Sequence, residues 1–417
     1  MNFNDIPPKL CNYCGACVFV CPKKCLSINQ AEKIKFDVKE CIDCGLCVKN
    51  CQGISFDFPK MQKHFFQESK FDEEVGNYQE IYIGQSKNQE VLKKSSSGGI
   101  ITTIIISAFR KKIINSVIFV AKDPNNPFGY KPMIARSEEE FLNNRTRSLY
   151  RIVSMVQILK EIKPEDKNLA FIGLPCHIEA VRTLQANGNA LAKKITLNLG
   201  IFCGLNQSVQ ATNFLVKKTK VKKEHIKELG YRGPGWPGGF HLIKTNNQLI
   251  KIDKDTVDFT NYLFILPRCL LCYDFTNEFA DISVGDAWSK LPSKAGWSEI
   301  IVRTKLGEEI INNIREEFVI QKSSLKTLKA SHPGNFSFKK KGIFYRFKNS
   351  KHFPKINVSP PKLNFKTKVF SYLYFLFIRR MGTKLTRKIA LLIPLKLFGK
   401  SIFVFKQVVR FILVKRR

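Results

Sequence analysis

The sequence predicts an α+β protein with three parts: a small cysteine-rich domain, a larger mixed α/β domain and a basic, amphipathic helical tail at the C-terminus. Two similar cysteine runs near the N-terminus indicate the first part. Short β-branched runs that alternate with helical patterns indicate the second part, and an excess of basic and apolar residues indicates the tail. The predicted boundaries are 1–58 for the first domain, 59–80 for a linker, 81–330 for the second domain and 331–417 for the tail.

Composition limits both the class of protein and its compartment. The chain has 417 residues, of which 44% are hydrophobic, so it can form about two or three domains with cores of their own. The N-terminal residues lack a basic start followed by an apolar core, which predicts no secretory signal and favours the cytoplasm. Thirteen cysteines in that reducing compartment indicate metal ligands or redox groups rather than disulfides.

The first cysteine run, CNYCGACVFVCP, has the spacing C-x2-C-x2-C-x3-C-P and recurs as CIDCGLCVKNC, with Gln52 in place of the proline. This repeat is the signature of a bacterial-type ferredoxin domain with two 4Fe-4S clusters. Three closely spaced thiolates bind one cluster, and the fourth thiol of each run binds the other cluster. The predicted ligands are Cys11, Cys14, Cys17 and Cys51 for cluster one, and Cys41, Cys44, Cys47 and Cys21 for cluster two.

Zinc sites and disulfides fit these cysteine runs less well. Zinc ribbons use pairs of C-x2-C rather than triplets with a trailing cysteine, and disulfides do not suit the compartment. Cys25 stands outside the ligand pattern and is expected to be a small buried residue. The runs therefore predict a relay for single electrons.

Between residues 81 and 330 the pattern changes to that of a mixed α/β domain. Strand-like runs fall at 81–84, 116–121, 169–173, 195–203, 240–245, 282–286 and 299–304, and helical patterns at about 149–163, 176–187, 208–219 and 307–317. The stretch SSSGGIITTIIISAFRKK is typical of a loop that opens a buried helix. Its Ser97, Gly98 and Gly99 precede that helix, where free amide hydrogens and the helix dipole favour a pyrophosphate. Ser-Gly-Gly is also an ordinary helix start.

Four further cysteines lie far apart in the sequence of this domain. Each follows a strand-like run or lies in a loop, where the fold can bring them together: Cys176, Cys203, Cys269 and Cys272. A lone cysteine after a strand usually packs in the core. Four of them in a chain that already carries cluster motifs favour a third 4Fe-4S site. A Cys176–Cys203 redox pair and a zinc site are the alternatives.

Five stretches of the chain resemble the beta subunit family of coenzyme F(420) hydrogenase and dehydrogenase. From about Glu74 to Glu317, in the family's order, they are SGGIITTIIISAF, GLPCHIEAVR, YRGPGWPGGFHL, CLLCYDFTNEFADISVGDAW and AGWSEIIVRTKLGEEII. An N-terminal two-cluster ferredoxin domain is a familiar fusion in that family. The resemblance implies a flavoprotein that binds FAD and accepts hydride from a reduced 5-deazaflavin, coenzyme F(420). It also implies that the four scattered cysteines bind one further cluster near the flavin.

The resemblance also bears on single positions near the expected flavin. The segment RTRSLYR (145–151) is similar to a family segment that reads Ser-Lys-Tyr, so Ser148 and Tyr150 match, whereas Leu149 stands in place of the lysine. If that lysine helps to hold an anionic cofactor, Arg147 or Arg151 must substitute for it. In the loop GPGWPGG, Trp236 is a candidate to cover a ring, and a packed turn explains that loop equally well.

Most of the excess charge belongs to the C-terminal part. The formal net charge is +35, and residues 318–417 contain 25 basic residues and no acidic residue. From Ser337 the sequence predicts a linker rich in proline and lysine, followed by two apolar-basic segments. The longest apolar run, Val369 to Ile378, has ten residues, whereas about 18–20 are needed to span a bilayer.

The two apolar-basic segments indicate what the tail binds. In the last segment a narrow polar stripe crosses an otherwise apolar helix: Lys400, Lys406, Gln407 and Arg410. Such a helix suits the surface of an anionic membrane or, as the alternative, a partner protein. Nucleic acid is disfavoured, because the aromatic residues alternate with leucine and isoleucine as on a buried face and no binding motif accompanies them.

Taken together, these features predict a cytoplasmic iron–sulfur flavoprotein oxidoreductase, peripheral on the inner face of the membrane. Electrons would pass between a reduced deazaflavin, or a similar hydride carrier, and the clusters through FAD, with a redox partner protein at the other end. One alternative is a ferredoxin-fed reductase in surface polysaccharide biosynthesis. Another is a non-catalytic electron-transfer subunit of a membrane-associated complex. Bound flavin separates the enzymes from the carrier, and the direction of electron flow separates the two enzymes.

Overall fold

The computed structural model describes residues 1–29, 34–66, 69–233, 235–288, 296–347, 365–394 and 397. Its centre is an eight-stranded mixed sheet with helices on both faces. The cysteine-rich N-terminal part packs against one of those faces. The α+β fold class, with a small N-terminal domain, a mixed α/β domain and a helical tail, is confirmed.

The N-terminal part contains short helices and a two-stranded sheet. Its helices are α1 (Ala16–Val20), α2 (Leu46–Lys49) and α3 (Gln52–Ser55), and its antiparallel strands are β1 (Leu26–Ile28) and β2 (Ile34–Phe36). Gly15 and Gly45 precede α1 and α2 with φ values of 90° and 71°. Residues with a Cβ atom disfavour this left-handed region, so the glycines allow both cysteine loops to turn into a helix.

The predicted linker has structure of its own. It forms helix α4 (Phe58–Phe65) and a hairpin of β3 (Lys70–Asp72) and β4 (Gly76–Tyr78). The carboxylate of Asp57 caps α4 by accepting a hydrogen bond of 3.1 Å from the Lys60 N–H.

The remaining strands build the central sheet and a smaller one. They are β5 (Glu80–Ser86), β6 (Ser116–Asp123), β7 (Asn126–Ala135), β8 (Leu169–Gly173), β9 (Ile195–Ile201), β10 (Ile226–Gly230), β11 (Gly239–Lys244), β12 (Leu249–Asp253), β13 (Ile282–Asp286), β14 (Ser298–Val302) and β15 (Phe318–Lys322). The central sheet has the order β15-β5-β14-β13-β9-β8-β6-β7, and β10, β11 and β12 form an antiparallel sheet. In the centre β13, β9, β8 and β6 are parallel. Since β8 and β9 run in the same direction, Cys176 and Cys203, which follow them, lie at the same edge.

Helices cover both faces of the central sheet. The helices after β4 are α5 (Gln89–Lys93), α6 (Ile100–Arg110), α7 (Glu138–Asn144), α8 (Pro175–Ala186), α9 (Ala190–Lys193), α10 (Val209–Thr219), α11 (Lys254–Phe264), α12 (Lys305–Asn313), α13 (Leu325–Ser331), α14 (Pro333–Phe336), α15 (Ile343–Phe347), α16 (Phe365–Met381) and α17 (Lys384–Leu392). Of these, α10, α11, α16 and α17 pack with one another in a separate core. The apolar residues of α6 and α12 form a core on one face. On the other face, α8 and the 3-10 helix Val156–Glu161 share a core with the N-terminal part.

Some local expectations are wrong. The helix predicted at 149–163 is only the 3-10 helix Val156–Glu161, because the preceding residues follow an irregular path along the wall of a cavity. The linker predicted from Ser337 is wrong for residues 337–347, which form a π-helix, Ser337–Lys341, and α15. The polar stripe Lys400, Lys406, Gln407 and Arg410 lies outside the described residues. Within the described part of the tail and elsewhere in those ranges, no helix is both long and apolar enough to cross a bilayer.

One carboxyl group in the central sheet is buried without an ion-pair partner among the described residues. Glu299 lies on β14 and is 0% exposed, and neither carboxylate oxygen has a hydrogen-bond partner in the described structure. Burial raises the pKa of Glu299 from 4.5 to about 7, against the opposing effect of the Ser331 hydroxyl, which lowers it. An acid with a raised pKa ionises more easily in the unfolded chain, so the folded state loses stability as the pH rises from about 4.5 to about 7.

The variant Glu299→Gln removes this titration. Its free energy of unfolding relative to the parent protein should rise between pH 5 and pH 8 by on the order of 3 kcal/mol, because the parent alone loses stability over that interval. Denaturant titrations at several pH values measure the difference, with Glu309→Gln at an exposed position of α12 as the matched control. A difference that is the same at pH 5 and pH 8 would show that Glu299 does not titrate in this way.

Candidate functional site

The four cysteines predicted for cluster one lie together and are here called the cluster-one set: Cys11, Cys14, Cys17 and Cys51. Their thiols interact electrostatically with one another. Burial raises the pKa of Cys11 to about 11 and that of Cys14 further. The loop that carries them is fixed to the large domain, since the Val156 N–H donates to the Cys14 carbonyl at 2.8 Å. This set therefore faces the large domain.

The other four ferredoxin-type cysteines, here called the cluster-two set, lie around a small depression: Cys21, Cys41, Cys44 and Cys47. Cys44 is exposed, and so are the apolar side chains of Val38 and Ile42 beside it in the sequence. Cys25 is only 7% exposed and contacts the Cys21 thiol. The cluster-two set therefore faces the surface.

The four scattered cysteines of the large domain also converge and are here called the third set: Cys176, Cys203, Cys269 and Cys272. Cys176 lies at the start of α8, Cys203 follows β9, and Cys269 and Cys272 lie in and just after a 3-10 helix, Pro267–Leu271. The thiol of Cys176 interacts with the other three. Burial raises the pKa of Cys176, Cys203 and Cys269.

The donor chemistry of the three sets fits iron–sulfur clusters. Across the described ranges of the chain, no three His, Cys, Asp or Glu side chains are placed to hold a single metal ion. A zinc site would need its ligands around one ion. A 4Fe-4S cluster instead takes one thiolate at each of its irons, and each set supplies four thiols.

A buried arginine lies between two of the sets. Arg268 is 5% exposed and interacts with the thiols of both Cys51 and Cys269. Its Nη1 donates to the carbonyl of Leu271, while its Nε has no hydrogen-bond partner among the described residues. The cluster-one set and the third set thus approach the same guanidinium from two domains.

A cavity of about 1330 Å³ lies beside the third set, and Cys203 forms part of its wall. The first turn of α6, the 145–151 segment and Arg232 line it elsewhere. Pockets for organic ligands usually measure about 300–1000 Å³. The volume is therefore sufficient for a dinucleotide and a second ring.

The Ser97–Gly99 segment lies at the wall of this cavity, but its three residues differ in what they contact. Ser97 and Gly99 line the cavity. The Ser97 hydroxyl donates to the Trp297 carbonyl at 2.7 Å, and the Gly98 N–H donates to Ser298 Oγ at 3.0 Å. A Cβ atom on Gly98 would lie 2.6 Å from the Gly84 carbonyl oxygen, so this glycine permits close packing of the segment on β5.

The 145–151 segment places two arginines at the same wall. Arg145 and Arg147 line the cavity, as do Ser148, Leu149 and Tyr150. Burial lowers the pKa of both guanidinium groups, and the charge of Arg147 lowers that of Arg145 further. In the described structure neither arginine forms an ion pair with a carboxylate within 4.0 Å. This wall therefore favours an anionic ligand.

Arg232 joins several walls of the cavity. Its side chain pairs with Asp286 at 2.8 Å, donates to the Tyr150 hydroxyl at 3.2 Å and donates to the Ser96 carbonyl at 2.7 Å. Trp236 stacks on Trp288 with ring centroids 4.6 Å apart, and the guanidinium lies over both rings. Burial alone would lower the pKa of Arg232, but Asp286 and Tyr150 raise it.

Sequence reasoning did not single out several charged residues of this region. Arg232 lies in the stretch YRGPGWPGGFHL. An arginine in a loop rich in glycine and proline could have been predicted to lie at the site. Four further basic residues are buried near the third set: Arg268, Lys339, Lys340 and Arg346. No sequence pattern marked the two arginines, and the two lysines belong to a run of lysine, which is typical of a solvated segment.

Comparisons with known proteins agree with this architecture. A 4Fe-4S dicluster domain model matches residues 4–52. The models for the coenzyme F(420) hydrogenase/dehydrogenase beta subunit match residues 81–160 (N-terminal model) and 166–327 (C-terminal model), together more than half of the chain. The fold and the cysteine motifs thus define an iron–sulfur electron-transfer oxidoreductase. The chain belongs to the coenzyme F(420) hydrogenase/dehydrogenase beta subunit family, as its motifs indicated.

Individual relatives are similar over most of their length. The coenzyme F(420) hydrogenase subunit beta of Methanococcus voltae is 27% identical over 283 residues, which cover 66% of this chain and 94% of the relative. A subunit of the F(420)H(2) dehydrogenase of Methanosarcina mazei is 23% identical over 340 residues, or 76% of this chain and 87% of the relative. A chain of the F(420)-reducing [NiFe] hydrogenase complex of Methanosarcina barkeri has the same fold, with a TM-score of 0.54 and 24% identity over 69% of this chain and 99% of its own.

Proposed function

We propose that this protein is an FAD-containing oxidoreductase that passes electrons between a reduced deazaflavin, or a similar hydride carrier, and three 4Fe-4S clusters. The clusters are held by the cluster-one, cluster-two and third sets. The proposed domains are 1–58 for the ferredoxin part, 59–80 for the connection, 81–330 for the flavin and third-cluster domain, and 331–417 for the tail, whose first residues pack on the large domain.

The observation that carries this proposal is the shared wall between the cavity and the third set. Cys203 belongs to both, so a ring bound in the cavity lies next to a cluster ligand. FAD supplies the conversion between two-electron hydride chemistry and one-electron transfer. The residues of the chain hold the ring, exclude water and place it beside the cysteines.

The cavity wall also supports an anionic cofactor. Helix α6 begins at Ile100 after the N-cap Gly99, and residues of its first turn, whose N–H groups have no partner within the helix, line the cavity. Arg145 and Arg147 add positive charge. Both features favour a diphosphate. In this arrangement the two arginines perform the role of the family lysine that Leu149 replaces. Ser97, Ser148 and Tyr150 complete the proposed contacts, with Gly98 packing behind them, and Trp236 supports this wall by stacking on Trp288.

The order of the sets supports a linear path for electrons. The third set borders the cavity, the cluster-one set meets it across Arg268, and the cluster-two set faces the surface. A redox partner protein then contacts the cluster-two side. Flow in the opposite direction, from a reduced ferredoxin to an unknown substrate in the cavity, uses the same path and is the second candidate function.

Replacing Cys269 and Cys272 by serine should lower bound iron from about twelve to about eight atoms per chain, because one of three clusters loses two ligands. Released FAD should stay near one per chain. Iron analysis and chromatography of the released flavin measure both quantities in anaerobically prepared protein. Cys25→Ser, a buried cysteine outside the three sets, is the matched control and should keep about twelve irons.

The double variant Arg145→Met with Arg147→Met should show the opposite pattern, losing most FAD while retaining the iron. Arg110→Met, which removes an exposed arginine paired with Glu138, controls for the loss of charge.

Undiminished iron in the cysteine variant would refute the third cluster. Absence of flavin from the parent protein would refute the flavoprotein and leave the electron-carrier alternative.

The tail supports a peripheral contact with an anionic membrane on the cytoplasmic side. Helix α17 is fixed to the body, since Arg387 Nε donates to the Leu263 carbonyl at 2.7 Å. Its outer face exposes Leu385, Ile389 and Leu392 by 63%, 50% and 82%. Exposed apolar side chains beside basic residues are the features that bind a helix to a charged bilayer surface.

The triple variant Leu385→Ser, Ile389→Ser and Leu392→Ser should lose most of its cosedimentation with vesicles that contain phosphatidylserine, because the apolar contact is removed while the charge stays. The parent protein should bind these vesicles and not vesicles of phosphatidylcholine alone. Leu249→Ser, at an exposed leucine on β12, is the control. Equal binding by the triple variant and the parent would exclude α17 as the contact.

A further inference from the structure

The first residues of the tail carry lysine side chains into the protein interior. In the π-helix Ser337–Lys341, Lys339 is 1% and Lys340 is 3% exposed, whereas the side chain of Lys341 is 46% exposed. Lysine is rarely fully buried unless its charge is paired. Two adjacent buried lysines therefore require partners.

Contacts on both sides hold this π-helix against the third set. Before it, Asn335 lies so close to the loop after Cys203 that a Cβ atom on Gly204 would be 2.6 Å from Asn335 Oδ1. After it, Arg346 donates from Nε to the Leu270 carbonyl and from Nη2 to the Phe338 carbonyl, each at 2.6 Å. Leu270 lies between Cys269 and Cys272, so the π-helix is attached to both cysteine loops.

The two lysines have different partners. Lys340 forms an ion pair with Glu278, which is also buried, and lies over the Tyr273 ring. Lys339 has no carboxylate within 4.0 Å among the residues that the structure describes. Its ammonium instead contacts the Cys272 thiol and lies in the electrostatic field of Cys203 and Cys269. It also interacts with the buried carboxyl groups of Glu179 and Asp274. The charge of Lys339 is thus directed at the third set.

We infer that Lys339 is the positioned counter-charge of the third set and raises the reduction potential of the cluster bound there. This inference rests on the proposed third cluster. Four thiolates bring negative charge into the interior, which is costly without a compensating cation. Lys339 supplies that cation and a hydrogen-bond donor for Cys272.

The direction of the effect follows from the charge. Reduction adds one electron and no proton, so the bound group becomes more negative. The ammonium of Lys339 attracts the reduced form more strongly than the oxidised form, and hydrogen bonds to cluster sulfurs act in the same direction. Removal of this charge should therefore shift the potential to a lower value.

The variant Lys339→Met tests this inference, since methionine fills similar space without the charge. Anaerobic redox titration followed by electron paramagnetic resonance should show one of three one-electron steps shifted to lower potential. Lys341→Met removes the same charge from the outer side of the π-helix and should leave all three steps unchanged. Lys339→Arg keeps the charge and should stay close to the parent protein.

Each outcome has a distinct meaning. An unshifted potential in Lys339→Met, with about twelve irons still bound, would overturn the role of Lys339. Loss of the third cluster in Lys339→Met but not in Lys339→Arg would support the counter-charge, and loss in both would overturn it. A parent protein with about eight irons and two redox steps would instead refute the proposed third cluster, and the inference with it.

Discussion

The packing of the N-terminal cysteine domain on the central sheet is the contact on which the rest of the structure depends. Phe56 and Phe58 contact Phe279 with ring centroids 4.7 and 5.2 Å apart, in a core that also includes α8. Such aromatic contacts are both apolar and directional, so they fix the orientation of the two domains. Without this packing, the cluster-one set and the third set would not meet at Arg268.

A second feature of the structure is the burial of positively charged side chains. The excess of basic residues predicts binding to a surface, yet some of these residues are buried in the protein interior. Arg268, Lys339 and Arg346 lie there, around the third set. Cations without carboxylate partners are costly in a protein interior unless an anionic group compensates them. Their position therefore agrees with anionic iron–sulfur clusters in a family of electron-transfer oxidoreductases. The first residues of the tail consequently pack beside the third set.

The sequence predicts those parts of the protein that depend on local spacing. The cysteine runs, the buried helix α6 and strands such as β8 and β13 follow from short patterns. Strands β7, β10, β12 and β15 were not predicted. Strand β15 pairs with β5, which is distant in sequence, whereas β7 pairs with its neighbour β6 but contains two prolines and a glycine, which disfavour a strand. The burial of Lys339 could not be predicted either, since a run of three lysines normally faces solvent. The contacts that hold this segment inward, from Arg346 to Leu270 and from Asn335 to Gly204, join residues that are distant in sequence.

The proposed function requires that a hydride carrier reduces a flavin in the cavity and that electrons then reach all three cysteine sets. An anaerobic absorbance titration of the reconstituted protein tests it most directly, with reduced coenzyme F(420), NADH or reduced ferredoxin added separately. We expect the reduced deazaflavin to bleach the flavin and cluster bands together, despite Leu149. Bleaching by reduced ferredoxin alone would contradict it, because electrons would then enter through the cluster-two set and leave through the cavity.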